Sequence, residues 1–195
     1  MKIDLILLAS GSSQRFGKQN KLLYCINGKS MFLRTVELAK NIKEMLPEQI
    51  GSIYVVSCYL EIQEITQKHG LQFCWNTKSQ EGIAASIRLG VRASNPENGL
   101  LFLVCDQPGL QASTIFYFLK GYLSSGKSLG CLCWSDGHMA GPCVFSSVWR
   151  SELLTLFGDK GGKKILRKNM KQVYLYPASD QELQDVDEMD PPILG

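Results

Sequence analysis

Long apolar runs are missing from this chain, and none of its 195 residues lies in a stretch near the roughly twenty residues a membrane helix needs. The amino-terminal run 3-IDLILLA-9 is too short for the apolar region of a signal peptide, and no credible cleavage site follows it. Strong charge of either sign is also absent. A formal net charge of +3 is too mild to imply a nucleic-acid or membrane partner, so any anion site has to come from local placement. There is no Cys-x-x-Cys pair to hold zinc. The seven cysteines are an odd number, and Cys58, Cys74, Cys105, Cys131 and Cys133 fall in apolar runs, as expected for buried, reduced thiols in a cytoplasmic protein. Histidine is scarce: His69 occupies a helix-to-strand turn and His138 a glycine-flanked loop.

What is present is globular, with 45% hydrophobic and 20% charged residues. Apolar runs of strand length occur at 3-IDLILL-8, 53-IYVVSC-58, 71-LQFCWN-76, 100-LLFLVC-105, 129-LGCLCW-134, 142-PCVFS-146 and 173-VYLYP-177. Between them, Phe32, Val36, Ala39 and Ile42 recur at helical spacing. So do Ile83, Ile87 and Val91, then Ile115, Leu119 and Tyr122, then Trp149, Leu153, Leu156 and Phe157. Continuously apolar strands alternating with helices predict a mostly parallel sheet covered on both faces. Two successive strands within 129–146 predict that this sheet is mixed. The expectation is a three-layer αβα, Rossmann-like fold forming one domain over residues 1–195.

In such folds ligands gather beyond the carboxyl ends of the strands. After the first strand comes 10-SGSSQRFGKQNK-21, a loop almost without side chains and then cationic. Glycine and serine let backbone N–H groups converge on an anion, and Arg15 and Lys21 can add full charges to it. The spacing is not that of a Walker loop, since five residues separate Gly11 from Gly17 and Gln19 follows Lys18. The dinucleotide fingerprint is absent as well. A solvated surface turn is the competing reading of this loop.

Asp106 ends the fourth run listed above and is followed by Gln107 and Pro108. It is either a turn former or, beside a cationic loop, a ligand for Mg²⁺, which takes one or two carboxylates plus phosphate oxygens and water. The acidic stretch 185-DVDEMD-190 offers a second carboxylate, or is a solvated tail. The loop 158-GDKGG-162 is read structurally as the end of one helix and the cap of the next, and functionally as a cationic receiver for an anionic substrate.

The ordered fragments L-x-S-G-S-S-x-R-F-G, N-K-L-L, N-x(5)-G-I-A-A-S-I-R-x-G and D-Q-P, continued by G-P-C-V-F, 158-GDKGGKKIL-166 and 185-DVD-187, resemble the molybdenum cofactor nucleotidyltransferases. These are MobA-like NTP transferases, and the likeness is greatest to the cytidylyltransferase branch. The resemblance implies transfer of CMP from CTP to the terminal phosphate of molybdopterin-bound molybdenum, with Mg²⁺ as cofactor and pyrophosphate as product. Carried over, Ala9, Ser10, Gly11, Ser12, Arg15 and Lys21 hold the triphosphate, and Asn76, Gly82 and Ser86 border the nucleoside. Arg15, Lys21 and Asp106 are the catalytic candidates. Asp106 and Asp187 are the metal ligands, with Asp185 as alternative to Asp187. Gln107, Pro108, His138, Gly141 and Lys160 are the acceptor-side candidates. A molybdenum hydroxylase apo-enzyme is a possible recipient of the product. Two departures bear on the base and its pose: Cys105 replaces the family's usual Gly before Asp106, and Ser10 stands where Ala or Gly is common. Other readings are a guanylyltransferase of the same cofactor, a sugar- or polyol-phosphate nucleotidyltransferase, and a cofactor-delivery protein.

Overall fold

The computed structural model describes residues 2–11 and 20–186. Its elements begin with β1 (Ile3–Ala9), a small hairpin of β2 (Cys25–Ile26) and β3 (Lys29–Ser30), α1 (Met31–Met45), β4 (Ile50–Ser57), α2 (Leu60–Lys68) and β5 (Gln72–Trp75). They continue with α3 (Ile83–Ala93), β6 (Gly99–Val104), α4 (Ala112–Ser124), β7 (Leu129–Cys133) and β8 (Met139–Phe145). After these come α5 (Arg150–Leu154), α6 (Lys163–Lys168), β9 (Val173–Pro177) and α7 (Asp180–Leu183).

Seven strands form one sheet in the order β5-β4-β1-β6-β8-β7-β9. Strands β5, β4, β1 and β6 pair in parallel, as do β7 and β9. Only β8 runs against its neighbours, β6 and β7. The fold is therefore the expected three-layer α/β arrangement with a mixed, mostly parallel sheet.

The strands read as continuously apolar because both faces are covered. On β1, Ile3, Leu5, Leu7 and Ala9 join one buried layer with Phe32, Val36 and Ile42 of α1 and Ile115, Phe118 and Leu119 of α4. Ile6 joins the other, with Ala84, Ile87 and Val91 of α3, Leu153 of α5 and Leu166 of α6. At the amino end of β1, buried Asp4 accepts hydrogen bonds from Ser52 N (2.8 Å), Asn95 N (3.0 Å) and Asn98 Nδ2 (3.0 Å). Three donors offset the desolvation of that carboxylate and tie β1 to β4 and to the connection before β6.

Several boundaries differ from the sequence reading. Strand β4 starts at Ile50 rather than Ile53, because Gly51 is a close-approach position: a Cβ there would collide with Asp4 Oδ1. Strand β8 starts at Met139, ahead of Pro142, and the Gly141–Pro142 peptide is cis. The fourth helical stripe is only partly helical, since α5 ends at Leu154 and Phe157 is exposed. Of the five thiols expected to be buried, Cys105, Cys131 and Cys133 are, whereas Cys58 and Cys74 are half-buried, Cys74 lying in the edge strand β5. Burial, and then the charge of Asp106, pushes the Cys105 thiol far up, so it stays protonated. Among the described residues no helix is long and apolar enough to cross a membrane.

Candidate active site

The carboxyl ends of β1, β4, β5 and β6 lie side by side, and polar residues follow each of them. Just past β1, buried Ser10 donates from Oγ to Val56 O at 3.1 Å. Just past β5, Asn76 is 2% exposed and bridges two hydroxyls. Its Nδ2 donates to Ser10 Oγ at 3.3 Å and to Ser86 Oγ on α3 at 3.0 Å, while Oδ1 accepts from Lys78 N at 3.0 Å. Three residues drawn from the ends of β1 and β5 and from the first turn of α3 thus form one satisfied polar wall.

Gly82 introduces α3 with φ 85° and ψ −177°, a backbone region open essentially to glycine. It also lets the 158–162 loop approach, since a Cβ at Gly82 would lie 2.6 Å from the Gly158 carbonyl carbon and oxygen. The Ala84 N–H donates to that carbonyl oxygen at 3.1 Å. The wall and the loop therefore meet at the amino end of α3.

On the other side of β1, past β6, Asp106 Oδ2 accepts from Lys21 Nζ at 2.9 Å. The side chains are 13% and 28% exposed for Lys21 and Asp106, so the pair is shielded without being sealed. Asn20 places the lysine: its side chain accepts from Leu22 N at 3.0 Å and caps the short turn 21–23. Val186 N donates to Asp106 O at 2.9 Å, and Gln107 Nε2 donates to Leu183 O at 3.1 Å. These two bonds clamp the segment 183–186, with exposed Asp185, against the end of β6.

The remaining candidates are dispersed. Gln107 is buried and its Oε1 has no partner, while Pro108 is half-buried beside it. His138 is exposed at the β7–β8 turn, where Nδ1 lies 2.8 Å from Asp136 Oδ2. Its backbone and then its side-chain hydrogen bond to Asp136 hold that carboxyl below its usual range. Gly141 lies within β8, and Lys160 Nζ sits 4.0 Å over the exposed Phe157 ring. Ser12, Arg15 and Asp187 lie outside the described residues, and among the described residues no group of three or more metal-ligating side chains occurs.

Sequence reasoning missed Ser57 and Tyr59. Ser57 Oγ donates to Ala9 O at 2.7 Å, and Tyr59 OH donates to Gly11 O at 2.7 Å. Burial, followed by neighbouring Cys58 and Glu61, pushes the Tyr59 phenol up, so it remains a donor. The available signal was position, because Tyr59 follows β4 directly, as Asp106 follows β6.

A comparison with curated proteins finds no match in sequence. In fold, the chain is similar to Rv0371c from Mycobacterium tuberculosis H37Rv, with a TM-score of 0.78 and 21% identity, covering 96% of this chain and 94% of that one. The same mycobacterial protein in complex with manganese superposes at a TM-score of 0.71 with 17% identity, covering 92% and 89%. The nucleotidyl transferase Mth528 from Methanothermobacter thermautotroptrophicus gives 0.75 with 19% identity, over 96% and 93%. A CMP:2-keto-3-deoxy-manno-octonic acid synthetase complexed with CTP gives 0.75 with 12% identity, over 96% and 94%. At these identities the likeness is one of fold. Residues 5–173, however, match the model of the MobA-like NTP transferase domain, and the chain belongs to that family of nucleotidyltransferases.

Proposed function

We propose that the protein is a single-domain cytidylyltransferase that moves CMP from CTP to molybdopterin-bound molybdenum cofactor, yielding molybdopterin cytosine dinucleotide and pyrophosphate. One observation carries the reading. In a MobA-like domain, the Lys21–Asp106 pair stands past β6 and the Ser10–Asn76–Ser86 wall past β1 and β5, on either side of the bare Gly11.

The chemistry needs positioning more than a nucleophile of its own. A terminal phosphate oxygen of the acceptor attacks the α-phosphorus in line, and the bond to the pyrophosphate oxygen breaks. The acceptor phosphate is already anionic near neutral pH, so no histidine base is required. Lys21 meets triphosphate charge, and the buried Asn76 wall gives the nucleoside a rigid, water-poor boundary. Asp106 suits a hard cation. Its Oδ1 has no hydrogen-bond partner among the described residues, and Mg²⁺ takes one or two carboxylates beside phosphate oxygens. Asp106 would hold Mg²⁺, with Asp187 or Asp185 as second carboxylate; the ion supplies charge neutralisation on the phosphates.

A second reading keeps the CTP and changes the acceptor to a sugar or polyol phosphate. The likeness to the CTP-complexed synthetase favours it.

The test is pyrophosphate release from CTP or GTP with Mg²⁺ and molybdenum-loaded molybdopterin. Release with CTP, reduced on the order of 100-fold or more in Asp106→Ala, is expected. A GTP preference moves the protein to guanylyl transfer and makes Ser10 the residue to vary. Release only with sugar phosphates replaces the acceptor. Unchanged cofactor insertion into a hydroxylase by Asp106→Ala would mean delivery rather than catalysis.

A further inference from the structure

The exit of β1 is fastened to the exit of β4 by side chains, one residue after another. In the parallel register Ala9 pairs with Ser57, where the backbone ladder stops. From there Ser57 Oγ donates to Ala9 O at 2.7 Å and Ser10 Oγ donates to Val56 O at 3.1 Å. Tyr59 OH then donates to Gly11 O at 2.7 Å. The two fasteners on the β4 side are themselves joined, since Tyr59 N donates to Ser57 Oγ at 3.2 Å. The sheet edge is thereby prolonged two residues past its last backbone pair.

The last fastener differs from the others in what it achieves. Ala9 and Ser10 are buried, and their polar groups need partners wherever they are. Gly11 is exposed, and a Cβ built on it would find nothing within 4 Å. Water would satisfy its carbonyl at almost no cost, so burial does not demand the Tyr59 bond. What the bond removes is freedom, in a residue that has more backbone freedom than any other.

That restraint has a direction. A peptide group is planar and trans, so a carbonyl aimed one way aims the N–H of the same group the opposite way. The Gly11 carbonyl is held on the β4 side of β1. Its peptide N–H therefore faces the β6 side, where Asp106 and Lys21 stand. An N–H preset toward that side is ready for an anionic oxygen without further ordering.

We propose that Tyr59 is a positioning residue for the nucleoside triphosphate, its hydroxyl presetting the Gly11 peptide at the exit of β1. This rests on the nucleotidyl-transfer reading above. Loss of the hydroxyl leaves the binding atoms in place but requires them to be ordered at each binding event. The cost falls on the bound nucleotide and the transition state alike, so affinity drops and the chemical step does not.

The experiment compares wild type and Tyr59→Phe by calorimetric titration with Mg-CTP and Mg-GTP, by steady-state kinetics and by thermal unfolding. Tyr59→Phe should raise Kd and KM for the nucleotide about five- to tenfold, the usual effect of one hydrogen bond. It should leave kcat within about twofold, KM for the acceptor unchanged and Tm within about 2 °C. Equal nucleotide affinity in both proteins overturns the role of Tyr59 and leaves nucleotidyl transfer standing. A parallel fall in kcat, acceptor KM and Tm overturns it too, as a general structural defect. No binding of either nucleotide by the wild type overturns the transferase reading itself.

Discussion

Asn76 concentrates three hydrogen bonds in one buried amide. Two go out from Nδ2 to hydroxyls on different elements, and one comes in to Oδ1 from Lys78 N. Replacing it with alanine strands Ser10 Oγ and Ser86 Oγ in a place water reaches poorly, since both residues are buried. Asn76→Ala should cost about 3 kcal/mol in urea-unfolding free energy and weaken CTP binding, whereas a surface loop asparagine would cost almost nothing. The single-residue candidates were legible in the sequence for a positional reason. Ser10, Asn76 and Asp106 each follow an apolar strand, where a polar residue has no packing purpose. Their partners were not legible. Lys21 and Asp106 are 85 residues apart, and nothing local says that their charges touch. Gln107 looked available for an acceptor because it neighbours Asp106, yet the alternation of the chain turns it inward to Leu183.

Among the elements, α3 lies against β1 through a position without a side chain. A Cβ on Gly90 would stand 2.5 Å from Ile6 Cγ2, inside a closely packed layer. Gly90→Ala therefore gains about 1 kcal/mol of helix propensity and loses more to overpacking. A net destabilisation of about 1–2 kcal/mol is expected. In a double-mutant cycle with Ile6→Ala, the combined loss should fall short of the sum by about 1 kcal/mol, because removing the Ile6 methyl makes the room. Additive losses would mean that the helix shifts as a body instead. The α3 stripe Ile83, Ile87, Val91 was readable because most of it is buried, though Ile83 itself stands partly in solvent. Helix α2 gave no such stripe: within it only Ile62 and Thr66 are buried, and Leu60 is exposed. Phe157 shows the opposite error, an apolar residue at helical spacing that serves as a platform for Lys160 outside the core.

At the scale of the whole molecule, alkaline pH reports on how completely the layer under α4 is sealed. Burial pushes the Tyr122 phenol up from its ordinary 10 to about 12, with its hydroxyl donating to Ser128 O at 3.2 Å. The unfolded chain releases this proton near pH 10 and the native one only near 12. The contribution is thus complete below pH 10 and lost as pH rises from about 10 to 12. Its size is roughly 3 kcal/mol. Urea-unfolding free energies measured across that interval should fall steeply in the wild type and less in Tyr122→Phe. The fold class was legible at this scale, since alternating runs and helical stripes leave few architectures open. The strand order was not. That β1 lies between β4 and β6, and that β8 turns back between β6 and β7, depends on crossovers that no local pattern encodes.

The ion pair of Lys21 and Asp106 gives this rim a property of its own. Each charge is the other's resting partner at 2.9 Å, so the pair is already neutral before anything binds. A cation arriving alone must displace the ammonium, and a polyanion arriving alone must draw the lysine off its carboxylate. When both arrive, each newcomer releases the partner the other needs, and the exchange leaves no buried charge unmatched. Cation and polyanion therefore raise one another's affinity by the same factor, and a self-contained pair becomes a device for admitting them together.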